Sequence, residues 1–203
     1  MSQYFVIHPD NPQPRLLARA AEIVAGGGLV AYPTDTTYAL GCQIGDKAAL
    51  DRIRQIRRLD KDHHFTLTCR DLSEIATYAR VDDSSFRILK RLTPGPFTFL
   101  LPATREVPRR LVHPKKKTIG LRVPDHPIAL GLLGALGTPM MTTTLRLPDD
   151  LAALTDPEDV RDRLGGQLDA IIDGGRCGIE PTTVVDLTGP VPVVERQGLG
   201  VFE

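Results

Sequence analysis

Tryptophan is absent from the 203 residues, and aromatic side chains of all kinds make up only 5% of them. A surface that recognises single-stranded nucleic acid by stacking bases on rings has little to build with. Cysteine is scarce too. Cys42, Cys69 and Cys177 are odd in number and far apart, which fits neither a zinc motif nor a disulfide framework and points to a reducing compartment. Net charge is missing as well: 25 Lys+Arg balance 25 Asp+Glu, so the total argues neither for nor against a polyanionic partner. No long hydrophobic run stands out. The longest uncharged stretch, 127–145, approaches the ~20 residues a membrane span requires, but three glycines, Pro139 and four threonines make it read as a buried helix, a turn and a strand. The N-terminus reaches His8, Pro9 and Asp10 before any apolar run, so no secretory signal is expected. These absences predict a soluble, cytoplasmic protein with no membrane partner.

What is present is ordinary for a globular chain: 41% hydrophobic and 25% charged residues. The length predicts one domain over 1–203, large enough to bury roughly 70% of its unfolded surface without a metal or disulfide. Asp10 or Asn11 can cap a first helix with Pro12 or Pro14 in its first turn, and Leu16, Leu17, Ala20, Ala21, Ile23 and Val24 form its apolar face. Three glycines, 26–28, end it before a buried strand over 29–32. Asp46 caps a second helix with Ala49, Leu50, Ile53 and Ile56 inward and Arg52, Arg54, Arg57 and Arg58 on its other face. Further helices are expected after Asp71, over 84–92 and 128–136, and after Asp156-Pro157. Strands are expected over 65–69, 97–101, 118–123, 140–144, 170–172, 183–187 and 191–195. Strands joined sometimes by helices and sometimes by tight turns imply an α/β fold with a mixed sheet covered by helices.

The neutral total conceals segregated charge. Between Ala103 and Arg122 there are seven basic residues and one acid, Glu106. A second basic run, Arg52 to Lys61, ends in His63-His64. Between Asp149 and Asp173 there are eight acids and two arginines. Each run alone reads as the solvated face of a helix; two basic runs converging on one concave surface would suit a nucleoside triphosphate or an RNA backbone. Hydroxyl groups crowd the loop from Tyr32 to Tyr38, where they either bind a small polar ligand or satisfy their own turn. The glycine-rich stretch 173–178 matches neither phosphate-binding fingerprint and reads equally well as a hairpin loop.

Taken in order, YPTDTTYALG, IRRLDKDHHFTL, PGPFTFLL, TIGLRVP, PMMTTTLRLP and PTTVVDL resemble the YrdC/YciO-like family over about residues 16–200, and the YciO branch within it. The resemblance implies a twisted open mixed sheet flanked by helices, YrdC/RibB-like, with a large basic cavity. Its YrdC branch forms threonylcarbamoyl-AMP from ATP, bicarbonate and L-threonine with release of pyrophosphate, for threonylcarbamoyladenosine in tRNA. Double-stranded RNA binding has also been credited to the family.

Carried over by motif, Thr36, Arg122, Thr142 and Thr182 fall at threonine-contacting positions, and Arg57, His63, Thr144 and Arg196 at ATP-contacting ones. Arg146 joins the ATP side as a departure. The YrdC branch has Lys-x-Arg where this chain has Arg57-Arg58-Leu59, and Ser-x-Asn where it has Thr144-Leu145-Arg146. Arg146 is expected to return, from the opposite wall, the positive charge missing at Leu59. The implied chemistry gives ATP as a substrate with Mg²⁺, no protein metal site and no assigned catalytic nucleophile; the thiols, with Cys42 and Cys69 at or beside strand ends and no base at recognisable spacing, are expected to be non-catalytic. A tRNA or double-stranded RNA binder without efficient synthesis is the rival reading.

Overall fold

A computed structural model describes residues 2–60, 63 and 65–203. Lys61 and His64, read above as part of a basic run, lie outside the described residues. Among the described residues ten strands form one mixed sheet in the order β1-β8-β2-β3-β7-β4-β6-β5-β9-β10. In chain order these are β1 (Gln3–Val6), β2 (Val30–Tyr32), β3 (Ala39–Gln43), β4 (Thr66–Thr68), β5 (Phe97–Pro102), β6 (Thr118–Arg122), β7 (Met140–Thr144), β8 (Ala170–Asp173), β9 (Thr183–Asp186) and β10 (Val193–Arg196). The helices are α1 (Pro14–Ala25), α2 (Lys47–Arg57), α3 (Leu72–Tyr78), α4 (Asp83–Leu92), α5 (Pro127–Leu136) and α6 (Pro157–Leu164).

Local chemistry explains most helix starts. The Asp46, Asp71, Asp82 and Asp156 carboxylates each accept an N–H of the first turn of α2, α3, α4 and α6. In α1 the cap is Gln13, with Pro14 opening the helix. Asp10 and Asn11 instead turn their backbone N–H groups to the His8 ring, which leaves the helix to begin at the proline.

Two strands were not read from the sequence. β1 is a four-residue edge strand, too short to show a period, and it forms by pairing in parallel with β8. β3 contains Gly41 and no β-branched residue, so local propensity argues against it. It forms because β2 and β7 flank it on both sides.

The two faces of the sheet are treated differently. One face carries Leu40, Leu67, Phe99, Leu121, Met141 and Val185, and packs against Leu50 and Ile53 of α2, Ile75 of α3, Leu89 of α4 and Val160 of α6 in a single core. Full burial of side chains this size contributes roughly 1.5–3 kcal/mol each. The opposite face has its own, smaller core: Val30, Tyr32, Ala39, Ala170 and Ile172 under Leu17, Ala20 and Val24 of α1 and Ile128 and Leu132 of α5. A Cβ at Gly131 would lie 2.6 Å from Leu17 Cδ1, so glycine there lets α1 and α5 approach closely. These two helices cover only the β1–β8–β2–β3 end. Met140 at the start of β7 still belongs to that core; beyond it, among the described residues, Thr142 and Thr144 of β7 and the same face of β4, β6 and β5 line a cavity instead.

Candidate functional site

Strand alternation builds the floor. Leu67 and Leu121 face the large core, so Thr66 and Thr68, and Gly120 and Arg122, face the other way. Register then aligns them across strands: Gly41, Thr142, Thr66 and Gly120 form one row, and Thr68 sits opposite Arg122 in the next. Thr98 and Leu100 of β5 and Val184 of β9 continue the floor. The cavity holds about 720 Å³. Its walls are the end of α2 with His63, the segments 143–153 and 179–182, and Arg196 of β10.

All but one of the candidate residues from the sequence line this cavity: Arg57, His63, Arg122, Thr142, Thr144, Arg146, Thr182 and Arg196. Thr36 does not. It is buried behind Arg122, whose Nη1 lies 3.4 Å from its hydroxyl, and its neighbour Thr37 opens onto the cavity instead. The hydroxyl-rich loop largely satisfies itself: Thr34 Oγ1 accepts from the N–H groups of Thr36 and Thr37 and donates to the Thr37 carbonyl. The glycine-rich stretch is tied to the same loop through the Tyr38 hydroxyl, which donates to the Gly175 carbonyl at 2.9 Å.

Arg122 is buried and forms an ion pair with Asp35 through Nη2. Arg122 Nε and Asp35 Oδ2 are buried without a hydrogen-bond partner among the described residues. Leaving such groups unpaired costs about 1–3 kcal/mol each.

Arg57 is held from two sides: Nε donates to the Arg146 carbonyl and Nη1 to the Thr143 hydroxyl, each at 2.7 Å. Burial, with Arg146 nearby, lowers its guanidinium to about 10, so it remains charged at neutral pH. Arg196 donates to the Thr182 carbonyl at 2.8 Å and hydroxyl at 3.2 Å, and burial lowers it too. The Thr182 hydroxyl shares a proton with Thr98 at 2.9 Å. Thr142 and Thr68 share one at 2.7 Å. His63 Nε2 lies 3.4 Å from the Thr143 hydroxyl, its ring edge-on to Phe65. Arg57, Arg146 and Arg196 have no carboxylate partner among the described residues, and Glu180 is the one acid among those lining the cavity.

The expected exchange across the cavity is corrected. Arg146 stands beside Arg57, not opposite the end of α2, and Leu59 packs against the large core rather than facing the cavity. The left-handed backbone of Arg58 (φ 47°) turns the chain immediately after α2 and carries Leu59 away from its last turn. Thr66, Thr68, Thr98 and Gly120 were missed by motif. Their signal was the alternation of small or hydroxyl residues with large apolar ones along β4, β5 and β6.

No group of three or more His, Cys, Asp or Glu side chains gathers, as a metal cage would require, among the described residues. No helix among them is long and apolar enough to cross a membrane.

Comparison with known proteins places this geometry. The Sua5/YciO/YrdC family model, described as telomere recombination, matches residues 22–198. An Escherichia coli (strain K12) protein named YciO is 58% identical over 200 residues, covering 98% of this chain and 97% of its own. The crystal structure of E. coli YciO superposes with a TM-score of 0.95, over 99% and 98% of the two chains. A threonylcarbamoyl-AMP synthase of Nitrosococcus oceani is 36% identical over 76% of this chain and 83% of its own. Pyrococcus abyssi Sua5, crystallised with L-threonine, superposes with a TM-score of 0.89 at 28% identity; this chain spans 58% of its length. The motifs, the mixed sheet and these likenesses agree, and the chain belongs to the Sua5/YciO/YrdC family.

Proposed function

We propose that the chain binds ATP and L-threonine, or a related amino acid, in the cavity and forms a carbamoyl-adenylate of the threonylcarbamoyl-AMP type, linked to threonylcarbamoyladenosine modification of tRNA. One observation carries this reading. Three guanidiniums that have no carboxylate partner among the described residues converge on a cavity whose floor offers a fourth and a field of hydroxyls. Anionic ligands complete such a site; an apolar ligand would leave its charges unanswered.

In this reading the phosphates lie against Arg57, Arg146 and Arg196, and the amino-acid carboxylate against Arg122. Thr142 and Thr182 face the substrate hydroxyl. The amine takes up bicarbonate with loss of water to give a carbamate. A carbamate oxygen then attacks the α-phosphorus, and pyrophosphate leaves with the electron pair of the broken P–O bond. Attack of this kind needs alignment and charge neutralisation more than a protein nucleophile. Nucleotide-bound Mg²⁺ would neutralise part of the pyrophosphate charge. Among the described residues lining the cavity, Glu180 is the one carboxylate that could help hold such a metal.

Support comes from relatives named threonylcarbamoyl-AMP synthase and from the L-threonine complex of P. abyssi Sua5. The deciding experiment measures pyrophosphate release with ATP, bicarbonate and each amino acid in turn. Release that depends on both threonine and bicarbonate is expected. Its absence, together with RNA affinity that falls steeply with salt, would favour the rival reading. The exposed Lys115-Lys116-Lys117 turn beside Arg109 and Arg110 gives that rival its surface.

A further inference from the structure

Arg122, Asp35 and His126 each hold a buried polar atom that has no hydrogen-bond partner among the described residues: Nε, Oδ2 and Nδ1. Such atoms in a native fold call for an explanation. The ion pair joins Arg122 Nη2 to Asp35 Oδ1, which leaves the second carboxylate oxygen unused. His126 does not line the cavity; it stands behind the residues that do.

The backbone brings the three residues to one corner of the fold. β6 ends at Arg122, and shortly after it His126 forms the N-cap of α5, where its side chain makes no capping hydrogen bond. Asp35 lies in the β2–β3 loop. Pro33 of that loop and Ile128 of α5 both crowd Gly174: a Cβ there would lie 2.9 Å from Pro33 Cγ and 2.4 Å from Ile128 Cδ1. Burial holds the His126 imidazole below its ordinary value of 6.5, against the carboxylates of Asp35, Asp125 and Asp10, which favour the charged ring in that order. Asp35 thus acts on the ring more strongly than Asp125, its neighbour in the chain, as a closer charge would. The other titratable groups that feel Asp35 are the Tyr32 hydroxyl and the Cys177 thiol, both raised by burial and neutral at physiological pH.

In the free protein Arg122 and Asp35 balance each other, and the buried imidazole is neutral. A ligand carboxylate arriving at Arg122 would leave this group with an excess negative charge. We infer that His126 is a positioning residue acting on Arg122 through Asp35: as a ligand carboxylate binds at Arg122, the imidazole takes up one proton from solvent, and its Nδ1–H engages Asp35 Oδ2. The ring becomes an imidazolium, no bond of the ligand changes, and the charge at the cavity floor is balanced again. Asp35 is then held by His126 from behind while Arg122 turns its charge to the ligand. The inference rests on the amino-acid reading of the cavity and adds a proton to it. Linkage is reciprocal: if the ligand favours the imidazolium, the imidazolium favours the ligand by the same factor.

The test is calorimetric titration of L-threonine into the parent and His126→Asn, in two buffers of different ionisation heat. It runs from about pH 8 to about pH 5, where histidine is the side chain that ordinarily titrates. Asparagine keeps a side-chain donor and is a favoured N-cap, so α5 is expected to form, and thermal melting checks it. The parent is expected to take up a proton as threonine binds. Its affinity should rise as pH falls, by up to about tenfold per pH unit, until the free imidazole is itself protonated. In His126→Asn both the buffer dependence and the pH dependence are expected to vanish. Threonine binding without proton uptake in the parent would overturn the inference and leave the amino-acid reading standing. So would uptake that persists in His126→Asn, with affinity lowered equally at every pH, the mark of a purely structural residue. A parent that binds no threonine at any pH would sink the amino-acid reading, and this inference with it.

Discussion

Arg122 at the end of β6 and Asp35 in the loop between β2 and β3 are 87 positions apart in the chain and meet as a buried ion pair on the cavity floor. Both side chains are about one-tenth exposed, and each keeps one buried polar atom without a partner among the described residues. Arg122 is therefore at once half of a structural ion pair and part of the cavity lining.

Because each charge depends on the other, Asp35→Ala is expected to destabilise the fold by about 3 kcal/mol in urea denaturation. Arg122→Lys keeps the charge but cannot hold Asp35 and a carboxylate through separate guanidinium edges. L-threonine affinity in that variant should drop about tenfold or more by calorimetry. Threonine binding equal to the parent would remove Arg122 from the ligand site.

Arg57 and Arg146 act on the same wall, one orienting its guanidinium on the carbonyl of the other. Substitutions at two residues sharing a ligand couple by about 0.5–3 kcal/mol, whereas independent sites add. ATP affinity measured for Arg57→Met, Arg146→Asn and the double variant is expected to show such coupling. Additive losses would mean that the two cations serve different ligands. Leu59→Arg, by contrast, inserts a charge where Leu59 packs on the core, and is expected to lower the melting temperature without improving ATP affinity.

Gly120 sets the depth of the cavity floor. A Cβ there would lie 3.2 Å from Thr66 Oγ1 and 3.5 Å from Thr98 Cγ2, and anything longer would project into the ligand space. Gly120→Val is expected to abolish threonine binding in calorimetry while the melting temperature changes by only a few degrees. Retained threonine affinity would show that the ligand sits elsewhere in the cavity.

The thiols are expected to be inert at neutral pH. Burial pushes Cys42 up to about 12 and Cys177 up to about 11, and raises Cys69 as well, so almost none is thiolate. The fold favours the neutral thiol. The stability contributed by Cys177 is therefore present below its ordinary value of 9 and lost as pH rises through about 11. Native protein should resist iodoacetamide at neutral pH, and stability should fall less between those values in Cys177→Ala than in the parent. Rapid labelling of Cys177 at neutral pH would contradict its burial.

Elements with local causes are legible in the order of the residues. Asp46, Asp71 and Asp156 start helices because a carboxylate a few residues away reaches the free N–H groups of a first turn. The ordered motifs also placed Arg57, Arg122, Thr142, Thr182 and Arg196 among the ligand-facing candidates, and all of them line the cavity. Tertiary structure alone decided the rest. β1 and β3 exist because neighbouring strands supply their hydrogen bonds, β1 drawing its own from β8. Thr98 meets Thr182 across 84 positions, Thr36 lies behind Arg122 instead of on the cavity surface, and Leu59 turns inward while Arg146 joins Arg57. A cap or a strand period is written within a few residues. Which face α1 and α5 leave uncovered, and which side chains share it, depends on strand order and register, set only when segments far apart in the chain pack together.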